Sequence, residues 1–130
     1  MKVLVVILVI ISVSAAKKIT LDDLSEAFIS CGATYGGPND IRKLVVAPNP
    51  DIKTLAPQTL CINIKLKVTN ENCDIDKTVL REIVMLLTGN KKTADKVDKR
   101  CTKRIESDTP EIASFNFWRC GRLIIDNENN

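Results

Sequence analysis

The stretch Ile62-Asn63-Ile64-Lys65-Leu66-Lys67-Val68 decides the fold class of this chain. It alternates apolar and polar residues, the pattern of a strand with one buried face. Propensity alone favours a strand. Two features outside the stretch point the other way. No other run offers it a partner, and an isolated strand leaves its backbone N–H and C=O groups unpaired. Just upstream, Pro57 suits the first position of a helix, where its missing N–H is no loss. Leu60 to Val68 is therefore expected to be helical, and the chain all-α.

The segments downstream carry clearer helix signals. Asp76 is placed to cap a helix running through Thr88, with Val79, Leu80, Ile83, Val84, Leu86 and Leu87 on a broad apolar face and Gly89 as the stop. Thr93 is expected to start the next, with Ala94, Val97, Cys101 and Ile105 at helical spacing. Asp108-Thr109-Pro110-Glu111 reads as a helix start, a cap residue followed by proline. Ile112, Phe115, Trp118 and Cys120 would line its inner side. Asp126 to Asn130, acidic and Asn-rich, reads as a frayed end.

Upstream, Thr20 and Asp23 are spaced as a capping box. Leu21, Leu24, Phe28 and Cys31 then share one helical face, and Gly32, Gly36, Gly37 and Pro38 end it. A short helix is expected from Asp40 to about Val46, with Ile41, Leu44 and Val45 inward and Pro48 and Pro50 closing it. The total is six helical segments, with no internal repeat and no low-complexity tract.

The first residues have a different character. Met1 and Lys2 precede an unbroken apolar run from Val3 to Ile11, and small residues with Val13 fill Ser12 to Ala16. A basic start, an apolar centre and small residues at Ser14 and Ala16 make residues 1–16 an expected secretory signal peptide. The apolar run is too short to span about 30 Å of hydrocarbon. Cleavage after Ala16 leaves 114 of the 130 residues as one domain, 17–130. With Lys2 gone, 18 of the 19 basic residues face 16 acidic ones, a charge of +2 that is too weak a balance to imply nucleic acid.

The chain has no histidine. That removes Ser-His-Asp and Cys-His catalysis and His-ligated zinc. Carboxylate-pair chemistry is left formally open, but the acids are scattered over what read as solvated helix faces. The expectation is a protein that is not an enzyme, with no cofactor and no metal.

Five cysteines, Cys31, Cys61, Cys73, Cys101 and Cys120, suit a disulfide framework in an exported domain, with one thiol left over. Four fall inside expected helices, whereas Cys73 lies in the polar connector Thr69 to Asp74. Spacing alone leaves the pairing open.

In these features the chain resembles the insect odorant-binding proteins, of the pheromone- and general-odorant-binding superfamily. That family has six helices and six cysteines, with C-x3-C in the third helix and C-x8-C in the sixth. Cys61 stands where the family's third cysteine stands, and Pro57 occupies the place of the second. Cys120 stands at the sixth, and Glu111 occupies the place of the fifth. The two missing cysteines pair with each other in the family, so the pattern is that of its four-cysteine, "minus-C" branch. Intervals of 29, 39 and 18 residues between Cys31, Cys61, Cys101 and Cys120 also suit the family. The resemblance implies disulfides Cys31–Cys61 and Cys101–Cys120, with Cys73 a free thiol; a pairing that uses Cys73 is the alternative.

The resemblance also implies a compact, disulfide-stapled six-helix bundle around an apolar cavity. The implied cavity residues are Phe28, Ile62, Leu66, Ile83, Val84, Leu87, Phe115, Trp118 and Leu123. The apolar surplus of the fourth helix, with Met85 and Leu86, and Phe117 in the sixth permit such a cavity, although for any single residue core packing is the better explanation and the cavity rests on the resemblance. The implied function is a secreted carrier that reversibly binds a small hydrophobic molecule such as an odorant, pheromone or fatty ligand. The implied partners are that ligand and a chemoreceptor at a membrane, for a monomer or weak homodimer. Carriage in haemolymph or a gland secretion fits the fold equally well. A helical signalling or venom-type protein acting through its surface is the alternative class. Without the family's middle disulfide the third and sixth helices are free to part, and Leu123, Ile124 and Ile125 are expected to fold back as an apolar lid.

Overall fold

Thr20 opens the first helix as the capping box demands. Its hydroxyl accepts from the Asp23 N–H at 3.2 Å, and the Asp23 carboxylate accepts from the Thr20 N–H at 2.8 Å. In this computed structural model, which describes residues 18–128, α1 spans Leu21–Ser30. The expected signal peptide lies outside the described residues. Leu24, Ala27 and Phe28 are buried, whereas Leu21, expected on the same face, stands 51% exposed in the first turn. Asp40 caps the single-turn α2, Ile41–Leu44, and Ile41 and Val45 are buried.

The deciding stretch is helical as far as Lys65. Ile62 to Lys65 close α3, Ile52–Lys65, and no strand occurs among the described residues. The helix begins five residues before Pro57, so the proline sits in its interior and forgoes one ladder bond instead of opening the helix. Nor does the helix reach Val68. Lys67 takes a left-handed φ of 62°, its N–H donates to the Ile64 carbonyl, and the Val68 N–H donates to the Asn63 carbonyl. This is a Schellman ending with lysine at the usual glycine position. It turns Val68 back into the core, where it is 3% exposed.

Asp76 caps α4, Lys77–Thr88, by accepting from the Thr78 and Val79 N–H groups, and left-handed Gly89 ends it. The next helix, α5, starts two residues earlier than expected and spans Lys91–Cys101. Its cap is Asn90, whose side-chain oxygen accepts from the Lys92 and Thr93 N–H groups; Thr93 is a buried interior residue. The helix ends at Cys101, and Ile105 falls in the following loop, 63% exposed. The Thr109 hydroxyl caps α6, Pro110–Glu128. The expected fold-back lid is absent: Leu123, Ile124 and Ile125 continue α6 without a break. Asp126 to Glu128 belong to the same helix, tied by the Arg122–Asp126 and Lys96–Glu128 ion pairs.

Helix α6 packs most extensively on α3 and also on α5, while α4 and α5 form a hairpin. Two buried clusters result. One, around Phe28, Ile41, Val45, Ile62 and Phe115, joins α1, α2, α3 and α6. The other, around Leu80, Val84, Val97 and Phe117, joins α4, α5 and α6. Leu66 and Trp118 pack against both.

The disulfides are Cys31–Cys61, which ties the end of α1 to α3, and Cys101–Cys120, which ties α5 to α6. Bridges of this kind persist in oxidising compartments. Among the described residues no helix is long and apolar enough to cross a membrane. Cys73 is a buried free thiol, also at a left-handed φ of 62°. Burial pushes its pKa up; the nearby Arg104 opposes this and Asp74 adds to it. The thiol is therefore a poor nucleophile at neutral pH.

Candidate functional site

The two clusters do not close completely against each other. An apolar cavity of about 100 Å³ lies at their seam. Helical periodicity explains how each element reaches it. From α4 come Leu80, Ile83, Val84 and Leu87, one stripe at the spacing of a single helix face. Leu24 and Phe28, one turn apart, come from α1. Val97 comes from α5, and Val68 from the hook that ends α3. The longest contribution is from α6, through Phe117, Trp118, Gly121, Arg122 and Ile125.

Six of the nine expected cavity residues lie on this lining: Phe28, Leu66, Ile83, Val84, Leu87 and Trp118. Three lie elsewhere. Ile62 and Phe115 are buried in the first cluster, where they hold α3, α6 and α1 together. Leu123 is 42% exposed, because it lies about 140° round the helix from Trp118. Ile125, about 20° from Trp118 by the same geometry, takes the inward place.

The polar members of the lining are Asn63, Arg42 and Arg122. Asn63 is 2% exposed and joins α3 to α6. Its side-chain oxygen accepts from the Trp118 indole N–H at 2.8 Å, and its amide donates to the Ser114 hydroxyl at 2.8 Å. Nearby, the Arg119 guanidinium donates to the Val45 and Ala47 carbonyls. The Asn63 bonds join α3 to α6, which neither disulfide connects, and the Arg119 bonds tie α6 to the segment after α2. Replacing Asn63 by alanine strands an indole N–H and a hydroxyl in the interior, and should cost about 2–3 kcal/mol. Denaturant unfolding will measure this, and Trp118 emission should shift as its hydrogen bond is lost. A variant as stable as the native chain would mean that the bonds to α6 contribute nothing net.

Arg42 is engaged on two sides. Its Nε and Nη2 donate to the two Asp40 carboxylate oxygens at 3.0 and 2.7 Å. Its guanidinium lies over the rings of Tyr35 and Phe28, 4.7 and 5.6 Å from their centres. Arg122 makes an ion pair with Asp126 at 2.9 Å, one turn further along α6.

Asn63 was hidden by the alternation, which counts it among the outward polar residues. Arg122 and Ile125 had a usable signal: with α6 extended past Cys120, its period places both beside Trp118.

No protein-family model matches the chain, and no curated protein or solved structure shows significant similarity to it.

Proposed function

We propose that this chain is an extracellular carrier that reversibly binds a small hydrophobic molecule in the cavity between α1, α4 and α6. The observation that carries the reading is an apolar cavity built by six helices and the α3–α4 connector, its Asn63 and Arg42 already committed to protein partners. A half-open apolar cleft with few convergent polar groups has the lining chemistry of a small-molecule site. Support also comes from the resemblance to minus-C odorant-binding proteins in helix number and cysteine spacing. On this reading the expected signal peptide exports the chain, and a chemoreceptor is the downstream partner of a monomer or weak dimer.

Volume limits the ligand. Apolar cavities of about 150 Å³ hold benzene, so about 100 Å³ suits a body of that size or less. A longer molecule extends through the mouth or forces the helices apart. Affinity is expected to be micromolar at best, about −8 kcal/mol. Histidine being absent, affinity should be nearly flat from pH 8 to about 5.5.

Gly121→Ala provides a test in which stability and binding move in opposite directions. A methyl group there meets nothing nearer than the Val97 side chain at 3.7 Å. Stability should rise by about 0.5–1 kcal/mol, the usual gain for alanine over glycine inside a helix. Affinity for small volatiles and fatty acids should fall, read from displacement of an apolar fluorescent probe and from Trp118 emission. If no apolar compound shifts probe fluorescence or thermal stability of the native chain, the carrier reading fails and a surface-acting secreted protein is left.

A further inference from the structure

The cavity lining contains two guanidinium groups and no carboxylate. They are not equivalent. Both carboxylate oxygens of Asp40, whose side chain is 3% exposed, are bonded to Arg42, and that charge is locally neutralised. Asp126, the partner of Arg122, is 38% exposed, so water weakens its hold. Arg122 is itself 26% exposed, at the border between cavity and solvent. A guanidinium carries five N–H donors in a planar fork, and one ion pair does not use them all.

We infer that the ligand is a compact amphiphile, an apolar body with one carboxylate, seated so that the carboxylate meets Arg122. This deepens the carrier reading and rests on it. The body lies against Val84, Phe117, Trp118 and Ile125, and the head lies at the mouth with access to water. Such a seating leaves no charge unpaired in the interior, which a head pointing toward Leu80 and Val97 would do. Volume sets the body at about four to six carbons, by comparison with cavities that hold benzene.

The test uses pentanoate, pentanamide and pentane on the full mature chain, followed by Trp118 emission at fixed ionic strength. Pentanoate should bind about tenfold more tightly than pentanamide, the difference made by a charge-assisted hydrogen bond to arginine. Arg122→Gln should abolish that preference, so that pentanoate and pentanamide bind alike. Asp126→Asn, which frees the guanidinium, should raise pentanoate affinity a few-fold and leave pentane affinity unchanged. Equal binding of pentanoate and pentanamide by the native chain would overturn the inference, as would a preference that survives Arg122→Gln. In either case continued pentane binding would leave the carrier reading intact. If none of the three binds, the carrier reading fails and this inference fails with it.

Discussion

Asp40→Ala is expected to destabilise the fold by about 3–5 kcal/mol, the usual result of removing one partner from a buried ion pair. Three separate arrangements depend on this carboxylate. It receives the Arg42 guanidinium, it caps α2 by accepting the Arg42 N–H at 2.8 Å, and it holds the preceding turn through the Gly36 N–H. Without it Arg42 is left beside Phe28 and Tyr35 as a charge with no counter-ion. Pairing the substitution with Arg42→Met removes the orphaned charge, so the double variant should recover part of the loss. Burial pushes the Asp40 pKa up, but hydrogen bonds from the Arg42 side chain and from the Arg42 and Gly36 N–H groups outweigh it, and the net direction is down. A carboxyl depressed in the folded state binds its proton more tightly when unfolded. Its contribution is therefore fully present above its ordinary pKa and lost as pH falls through the lower, folded value. Denaturant titrations should show the gap between native chain and variant constant from pH 8 to 5, then narrowing below about pH 4. A gap that is the same at pH 3 would mean the carboxylate acts by packing alone.

The second large effect belongs to Cys31–Cys61. Its partners are 30 residues apart, against 19 for Cys101–Cys120. On loop-entropy grounds, replacing both cysteines of the first bridge by serine should cost about 3.5 kcal/mol, and of the second about 3 kcal/mol. The first bridge holds α1, and with it Leu24 and Phe28, against the rest of the cavity wall. Its loss should therefore reduce probe affinity as well as melting temperature. Non-reducing peptide mapping of the native chain should return these two pairs and a Cys73 peptide that alkylates only after unfolding. A Cys73 disulfide peptide from the monomer would refute the pairing. A loss under 1 kcal/mol would show that α1 is held mainly by its packing.

Much of this architecture is written in local chemistry. Thr20 with Asp23, Asp76, Gly89 and Thr109-Pro110 act on backbone groups within about four residues of themselves. Their helix boundaries were therefore legible without knowing the rest of the molecule. The stripe Leu80, Ile83, Val84, Leu87 was legible for the same reason, since one helix supplies the whole period. Fold class followed from the lack of any partner strand. The cysteine pairing needed more than the residues: their spacing left it open, and the resemblance supplied the pairs found in the structure.

What local reading missed depends on distant neighbours. Asn63 reads as a surface residue until Ser114 and Trp118 arrive from 51 and 55 positions away to satisfy it. Lys67 accepts a left-handed φ, which a lysine on its own disfavours, because Val68 is drawn into the core. Leu123, Ile124 and Ile125 read as a fold-back lid until α6 continues and packs Ile125 inward, leaving Leu123 in solvent. The cavity is of the same kind. No residue encodes it alone, for it exists only where two clusters, each well packed, meet along α6 without filling the space between them. Caps and periods are short-range and sit in the sequence itself, whereas burial of a polar group and the volume left at a seam are sums over contacts that only the folded chain makes.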